Sequence, residues 1–238
     1  MLRVLVTRPE PGASRTAHRL EEAGFQPVLL PLTETKALPV AAGLIPDDAV
    51  AVAVTSANAM RHAPEEIIAT LAALPCHAVG RRTAEAARKA GFLSVSEGPG
   101  DAEALADVLA ADFSGKTIVY LCGRVRFPAF EQRLGTAGVR VHAVETYDTL
   151  TVGYPDEVTL ERLSGQPADA VLLYSAKAAA AMQMLARRPA LRGLFEKTWV
   201  FALSTRIAAA FDDAAGERIR IAAQPDEEAL LALLQAPR

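Results

Sequence analysis

Two stretches of the sequence follow the same plan: residues 2–35, LRVLVTRPEPGASRTAHRLEEAGFQPVLLPLTET, and residues 117–151, TIVYLCGRVRFPAFEQRLGTAGVRVHAVETYDTLT. Each begins with an apolar strand pattern that leads to an arginine, Arg8 or Arg124. A helical stretch then ends near a glycine, Gly24 or Gly138, and a second strand pattern continues into a Thr-rich extension. Self-similarity of this kind indicates a duplicated structural unit.

The rest of the chain repeats in the same way. Residues 54–57, VTSA, are followed by AVG at 78–80, and residues 173–176, LYSA, are followed by ALS at 202–204. Each set continues through a helical and a strand pattern to an aspartate, Asp101 or Asp226, that is typical of a helix N-cap. The two copies lie roughly 115 to 125 residues apart throughout.

Short Val/Ile/Leu-rich runs alternate with longer Ala/Leu/Glu/Arg runs of helical period, which predicts an α/β fold with parallel strands joined by crossover helices. We predict strands at 2–6, 28–32, 51–54, 77–79, 94–96, 117–121, 139–144, 171–174, 199–203 and 218–221.

Two extended Thr/Pro-rich segments, about 31–39 and 144–152, interrupt the plan and suggest paired linkers. If both cross together, residues 38–145 form one domain, and residues 1–35 with 150–238 form a discontinuous one. Two sequential halves with a single linker are the alternative. We favour the discontinuous arrangement, because two extended segments can pair as a short ladder and satisfy their own backbone groups.

Composition limits the classes of function. A formal charge of −3 over 238 residues argues against nucleic acid or an anionic membrane as the main partner. No apolar run approaches the length of a membrane span, and the chain leads directly into a strand pattern, so we expect a cytoplasmic protein without an export leader. Cys76 and Cys122 are predicted to be buried free thiols. The scattered histidines predict no metal site, and the lack of a sustained exposed apolar stripe favours a monomer.

Several motifs, in this order, resemble the uroporphyrinogen-III synthase family over nearly the full length: VLVTRP at 4–9, VTSANA at 54–59, AVG at 78–80 with Thr83-Ala84 and Gly91-Phe92, and VETYDT at 144–149. One turn departs from the family pattern. Residues 203–208 read LSTRIA where the family has Ile-Gly followed by a Thr-Ala pair, so Ile207 stands where a threonine is common.

The resemblance implies two Rossmann-like or flavodoxin-like parallel-sheet domains, joined by a two-stranded β linker, with the active cleft between them. It implies an enzyme without a cofactor that cyclises hydroxymethylbilane to uroporphyrinogen III. In this reaction the terminal hydroxyl leaves, and a spiro intermediate inverts the last ring (ring D). It also implies transient contact with the preceding enzyme, hydroxymethylbilane synthase. Tyr147 matches the family's tyrosine at the linker, where a phenol can assist the departing hydroxyl; packing of the ladder is the alternative reading.

The substrate's acetate and propionate arms need anion sites, and open α/β sheets offer backbone N–H groups where strands lead into helices. The candidate binding residues are those of the strand-to-helix turns and the arginines beside them: Thr7, Arg8, Thr55, Ser56, Ala57, Asn58, Gly80, Arg81, Thr83, Cys122, Gly123, Arg124, Arg126, Ser175, Ala176, Lys177, Ser204, Thr205 and Arg206. The alternative interpretation is that the hydroxyl residues only cap helices and that the arginines are solvated surface charges. From the repeat we expect loss of Arg8 or Arg124 to weaken binding of the anionic substrate.

The rival function is a non-catalytic, intracellular two-lobe module that binds an anionic small molecule, because a fold alone does not fix a function.

Overall fold

The computed structural model describes residues 1–211 and 218–235. The chain divides into two compact units. Unit 1 comprises Met1–Glu34 and Leu150–Arg238, and unit 2 comprises Thr35–Thr149. Residues 212–217 and 236–238, which the sequence assigns to the discontinuous domain, lie outside the described residues.

The secondary-structure elements alternate along the chain as an α/β fold requires. The strands are β1 Arg3–Val6, β2 Gln26–Leu29, β3 Thr33–Ala37, β4 Ala49–Val54, β5 Cys76–Ala78, β6 Val95–Glu97, β7 Thr117–Gly123, β8 Arg140–Thr151, β9 Ala170–Leu173, β10 Trp199–Ala202 and β11 Ile219–Ile221. The helices are α1 Gly12–Glu22, α2 Ala57–His62, α3 Glu65–Leu71, α4 Arg81–Ala90, α5 Ala102–Phe113, α6 Ala129–Thr136, α7 Asp156–Arg162, α8 Ala176–Ala186, α9 Arg192–Phe195, α10 Thr205–Ala209 and α11 Glu227–Ala232, with a 3-10 turn at Ala42–Leu44.

The two sheets share one strand order. The sheet of unit 1 runs β11-β10-β9-β1-β2, with parallel neighbours throughout. Counted along its own chain this is the order 2-1-3-4-5 of flavodoxin-like folds. The other sheet runs β3-β8-β7-β4-β5-β6. In the sequence repeat, β8, β7, β4, β5 and β6 correspond to β2, β1, β9, β10 and β11, so these five strands have the same order as the sheet of unit 1. The predicted α/β fold with parallel sheets is confirmed.

Both faces of each sheet are covered by helices, which explains why the central strands are apolar on both sides. All four residues of β1 and all seven of β7 are buried. In unit 2, α2, α3 and α4 pack on one face of the sheet, and α5 and α6 pack on the other. Each unit therefore has its own two-sided core.

The extended segments differ from the prediction in detail. β8 runs without a break from Arg140 to Thr151 and so includes most of the second predicted linker. β3 occupies part of the first predicted linker and is the neighbour of β8 in the sheet. The backbone N–H of Leu38 donates to the carbonyl of Thr146 at 2.9 Å. Predicted strand 28–32 begins earlier in the structure, as β2, and ends at Leu29.

Local predictions hold at the helix starts and the cysteines. The carboxylate of Asp101 accepts from Ala104 N at 2.9 Å, and that of Asp226 accepts from Ala229 N at 2.8 Å, so both aspartates are helix N-caps. Cys76 and Cys122 are free and buried, and burial raises the pKa of each thiol to about 12. In the described residues no helix is both long and apolar enough to cross a membrane.

Candidate functional site

A pocket of about 450 Å³ opens at the carboxyl ends of β4 and β7 in unit 2. These two strands are neighbours in the sheet, and the helices that follow them, α2 and α6, pack on opposite faces. Crevices at such a switch point are where open α/β sheets bind ligands. The pocket is lined by Thr55, Ser56, Asp101, Ala102, Glu103, Tyr120, Gly123, Val125, Arg126, Phe127, Ala129, Phe130 and Tyr147.

Tyr147 and Ser56 form a hydrogen-bonded pair at this pocket. The Tyr147 hydroxyl donates to Ser56 Oγ at 3.2 Å. Ser56 Oγ also accepts from the backbone N–H of Asn58 at 3.2 Å, as the N-cap of α2. Because that oxygen already accepts two hydrogen bonds, the serine's own hydrogen is left to donate elsewhere. The pair therefore presents a hydroxyl donor backed by a phenol.

The ring of Tyr147 is held between Gly123 and His62. A Cβ on Gly123 would lie 2.7 Å from Tyr147 Cζ, so only glycine lets the ring lie so close to the end of β7. The His62 ring stacks on the Tyr147 ring with centroids 5.8 Å apart. Burial, and secondarily the neighbouring Arg61, lower the pKa of His62, which keeps this imidazole neutral near pH 7.

A second hydroxyl pair, Thr55 and Tyr120, lines the same pocket. Their oxygens are 2.7 Å apart. Tyr120 is buried, its ring packs on Phe130 with centroids 4.6 Å apart, and burial raises its pKa to about 12. Tyr120 therefore stays protonated and acts as a hydrogen-bonding group.

Arg126 is engaged by protein carboxylates. Its Nε and Nη2 donate to the two Glu131 oxygens at 2.9 and 3.2 Å, and its Nη1 donates to Glu145 Oε1 at 2.9 Å. The same Nη1 is 3.2 Å from the Gly123 carbonyl. Hydrogen bonds to the two carboxylates raise the pKa of Arg126. This network fixes the loop between β7 and α6.

The other cations of this rim are more exposed. Arg124 has 56% of its side chain exposed and pairs with Glu145 at 3.2 Å and with Asp148 at 3.6 Å. Arg81, at the start of α4, has 81% exposed and pairs with Glu85 at 3.1 Å. Ala57 and Asn58 form the first turn of α2 and are partly exposed.

In unit 1 the corresponding place is filled by a charged cluster. Arg8 Nη1 donates to Glu227 Oε1 at 2.9 Å, and the guanidinium lies 4.3 Å from the centroid of the Tyr174 ring. Thr16 donates to the same carboxylate, and Arg19 pairs with it at 3.2 Å. Burial by itself would raise the pKa of Glu227, but the bond from Thr16 and the nearby Arg8 and Arg19 outweigh it and lower that pKa.

The remaining turns of unit 1 combine caps with exposed groups. Ser175 caps α8 by accepting from Ala178 N at 3.1 Å, with Ala176 and Lys177 following as partly exposed residues. Ser204 precedes α10 without a side-chain cap bond, and Thr205 and Arg206 after it are exposed.

Several predicted site residues have buried side chains. The Thr7 hydroxyl donates to the Leu172 carbonyl at 2.7 Å, and the Cys122 thiol faces the Val144 carbonyl at 3.6 Å. Thr83 on α4 is buried, and so is Ile207, which occupies the matching position on α10. The side chain at this position packs inward in both units, so the Ile207 departure changes a buried contact.

Gly80 has a packing role as well. A Cβ there would lie 3.2 Å from Gly100 Cα, so the glycine allows the loop before α5 to pass close to the end of β5.

Most of the aromatic, aliphatic and acidic lining was not predicted from the sequence: Asp101 and Glu103 as pocket residues, Tyr120, Val125, Phe127 and Phe130. One signal was available for Tyr120, which is a tyrosine inside an otherwise apolar strand, near its carboxyl end. A buried tyrosine hydroxyl needs a partner, so such a residue marks a polar point in the core. Among the described residues, no group of three or more His, Cys, Asp or Glu side chains is arranged to hold a metal ion.

The flavodoxin-like strand order and the hydroxyl-lined pocket at a switch point are typical of proteins that bind a small organic molecule. The chain matches the family model for Uroporphyrinogen-III synthase HemD over residues 14–232. It therefore belongs to the uroporphyrinogen-III synthase family, as the sequence motifs predicted.

Solved structures agree at the level of the fold. Uroporphyrinogen-III synthetase from Helicobacter pylori is similar with a TM-score of 0.65 and 17% identity, over 100% of both chains. A mutant uroporphyrinogen III synthase from the extremely thermophilic bacterium Thermus thermophilus is similar with a TM-score of 0.54 and 18% identity, over 99% of this chain and 96% of that one. No curated protein matches this chain in sequence.

Proposed function

We propose that this chain converts hydroxymethylbilane to uroporphyrinogen III, closing the linear tetrapyrrole with inversion of its last ring through a spiro intermediate. The observation that carries the proposal is the family match over residues 14–232. It favours the enzyme over a non-catalytic binding module. The reaction loses water and forms a ring, so the activity is that of a cyclising hydro-lyase.

Tyr147 and Ser56 are suited to the first step, departure of the terminal hydroxyl. As the carbon–oxygen bond breaks, electrons from the pyrrole nitrogen form an azafulvenium, and the leaving oxygen takes a proton to become water. This step needs a hydroxyl group that donates to the leaving oxygen and itself accepts a hydrogen bond from a second hydroxyl. Ser56 is in this position, because Tyr147 donates to its Oγ. The spiro intermediate then fragments, and the unsubstituted α-carbon of the last ring closes the macrocycle. That carbon loses its hydrogen as a proton in the closure, which balances the proton taken up by the leaving oxygen, so the net change is loss of one water.

The larger task is positioning. A substrate that closes spontaneously without inversion must be held so that the substituted carbon attacks first, and orientation of this kind lowers a barrier without strong acid or base groups. We propose that turns at the carboxyl edge of the unit 2 sheet bind the acetate and propionate arms. Arg124 and Arg81 are exposed, and exposed ion pairs are worth only about 0–1 kcal/mol, so a substrate carboxylate competes with the present partners at little cost.

The finer assignments follow from the same proposal. The two compact units are its domains, with β3 and β8 as the paired linker. We place the enzyme in the cytoplasm as a monomer without a cofactor. We also propose transient contact with hydroxymethylbilane synthase, because the unstable substrate closes spontaneously in solution.

A coupled assay tests the function. Hydroxymethylbilane is generated freshly in the presence of the purified chain, and the uroporphyrinogen isomers are separated after oxidation. We expect mainly isomer III. Isomer I alone, together with saturable binding of the substrate, would favour the binding module instead.

A further inference from the structure

The pocket of unit 2 differs in charge from an anion site. Arg126 is the single cation among the lining residues of the described chain, and Glu131 and Glu145 already occupy it. Two lining residues are acidic. Asp101 caps α5, and Glu103 pairs with Arg133 at 2.6 Å. A carboxylate entering this pocket would gain no new counter-ion from the lining residues, because the charge of Arg126 is already balanced by Glu131 and Glu145.

Neutral hydrogen-bonding groups remain available in the same space. In the Thr55 and Tyr120 pair one hydroxyl donates to the other. The hydroxyl that accepts this bond keeps its own hydrogen, which can donate to a ligand. The Ser56 hydrogen is left in the same way, because its oxygen accepts from Tyr147 and Asn58. These donors converge on a pocket with aromatic walls, which suits an uncharged heteroaromatic ring.

Unit 1 shows what fills the equivalent place when the residues are larger. Tyr174 follows β9 where Thr55 follows β4, and Glu227 follows the Asp226 cap where Ala102 follows the Asp101 cap. Tyr174 Oη donates to Glu227 at 3.3 Å, and the guanidinium of Arg8 covers the ring. A threonine and an alanine at these positions leave unit 2 with an open pocket of about 450 Å³.

We propose that this pocket binds one pyrrole ring by its uncharged edge and excludes carboxylates, with the Thr55 and Tyr120 hydroxyls as positioning residues. The identity of the ring rests on the proposed function: it is the end ring of hydroxymethylbilane that bears the hydroxymethyl group, at the opposite end from the ring that is inverted, with its N–H and hydroxymethyl group inward and its acidic arms outward. The volume suits one substituted ring and not the whole tetrapyrrole. The arms are then bound by the exposed cations beside the pocket, Arg124 and Arg81.

A pair of probes with the same shape and different charge tests the selectivity. Pyrrole-2-carboxamide and pyrrole-2-carboxylate are titrated into the full-length, isotope-labelled protein, and backbone amide shifts are followed by NMR. We expect the carboxamide to shift the signals of Ser56, Gly123 and Tyr147 and to bind at least about tenfold more tightly than the carboxylate, because the carboxylate loses its hydration without gaining a counter-ion. Equal or tighter binding of the carboxylate, or shifts confined to other surfaces, would overturn the proposal.

Two variants identify the pocket. Ala102→Glu copies the residue that unit 1 has at the first position of α11, Glu227, and its longer side chain should occupy the space of the pocket, so we expect a folded protein that no longer binds the carboxamide. Tyr120→Phe should weaken carboxamide binding about fivefold, the value of one neutral hydrogen bond. Tyr154→Phe is the matched control, because that hydroxyl donates to the Pro31 carbonyl in unit 1 and should leave binding unchanged. Wild-type binding in Ala102→Glu would count against the pocket.

The outcomes separate this proposal from the proposed function. If the chain forms isomer III but prefers the carboxylate probe, only the pocket assignment fails. If the carboxamide binds as described and no isomer III forms, the pocket is right and the assigned reaction is wrong.

Discussion

Gly123→Ala is the most direct probe of how the fold positions Tyr147. The added Cβ would lie 2.7 Å from Tyr147 Cζ and 3.0 Å from its Oη. To regain ordinary contact the ring must move by about 0.7 Å, and His62 stacks against it. The Tyr147 bond to Ser56 is already 3.2 Å long, so this movement breaks it.

The expected loss is set by that hydrogen bond. A neutral hydrogen bond contributes about 1 kcal/mol, which corresponds to about a fivefold loss of kcat. KM should change less, and the share of the uninverted isomer should rise, because spontaneous closure competes with a slower enzyme. Initial rates and isomer ratios with freshly generated hydroxymethylbilane measure both effects.

Gly135→Ala is the matched control. Gly135 lies in α6, and its added Cβ meets nothing within 4 Å, so the same substitution should leave turnover unchanged and raise helix stability by about 1 kcal/mol. In a Tyr147→Phe background, Gly123→Ala should cost little further activity, because both changes act on one hydroxyl. Wild-type turnover in Gly123→Ala, or full additivity in the double variant, would refute the reasoning.

Three further predictions concern single side chains. Tyr147→Phe should lower kcat more than it raises KM, because we propose that the phenol assists the departing hydroxyl; unchanged turnover in steady-state kinetics would remove Tyr147 from the chemistry. Arg3→Met should lower the free energy of unfolding by about 3 kcal/mol or more, because the buried guanidinium donates to three backbone carbonyls at 2.6 to 2.8 Å; urea denaturation measures this, and a loss below about 1 kcal/mol would contradict it. Glu227→Gln should destabilise the chain at pH 7 by about 1–3 kcal/mol. The pKa of Glu227 in the folded state is lowered from 4.5, so the ionised carboxylate stabilises the fold above pH 4.5, and this stabilisation is lost as the pH falls through the folded-state pKa. Urea denaturation of wild type and variant over this pH range measures the effect. A difference in the free energy of unfolding that does not shrink on acidification would contradict the prediction.

The fold was predictable because its signals are local and occur twice. Strand runs such as VLV at 4–6 and helix caps such as Asp101 each depend on neighbouring residues only. The repeat added what no single element gives, the matching of strands between the two halves. The end of the β8 strand was missed because its Thr-rich residues resemble a linker, whereas pairing with a neighbouring strand satisfies their backbone groups.

The site was predictable only in part, because its contacts join residues far apart in sequence. Ser56 and Tyr147 were both named, yet their hydrogen bond spans 91 residues and has no sequence signal. The Thr55 and Tyr120 pair spans 65 residues, and Tyr120 was missed. Arg126 was expected to bind substrate, but the structure pairs it with two protein carboxylates, which charge counting along the chain does not reveal.

The isomer ratio as a function of enzyme concentration tests the central claim most directly. Hydroxymethylbilane is produced at a constant rate, and the purified chain is added in increasing amounts. If this protein directs the inversion of the last ring, isomer III should rise from a trace to nearly all of the product as the enzyme outpaces spontaneous closure. An isomer ratio that stays at the enzyme-free value across the whole series would contradict the account.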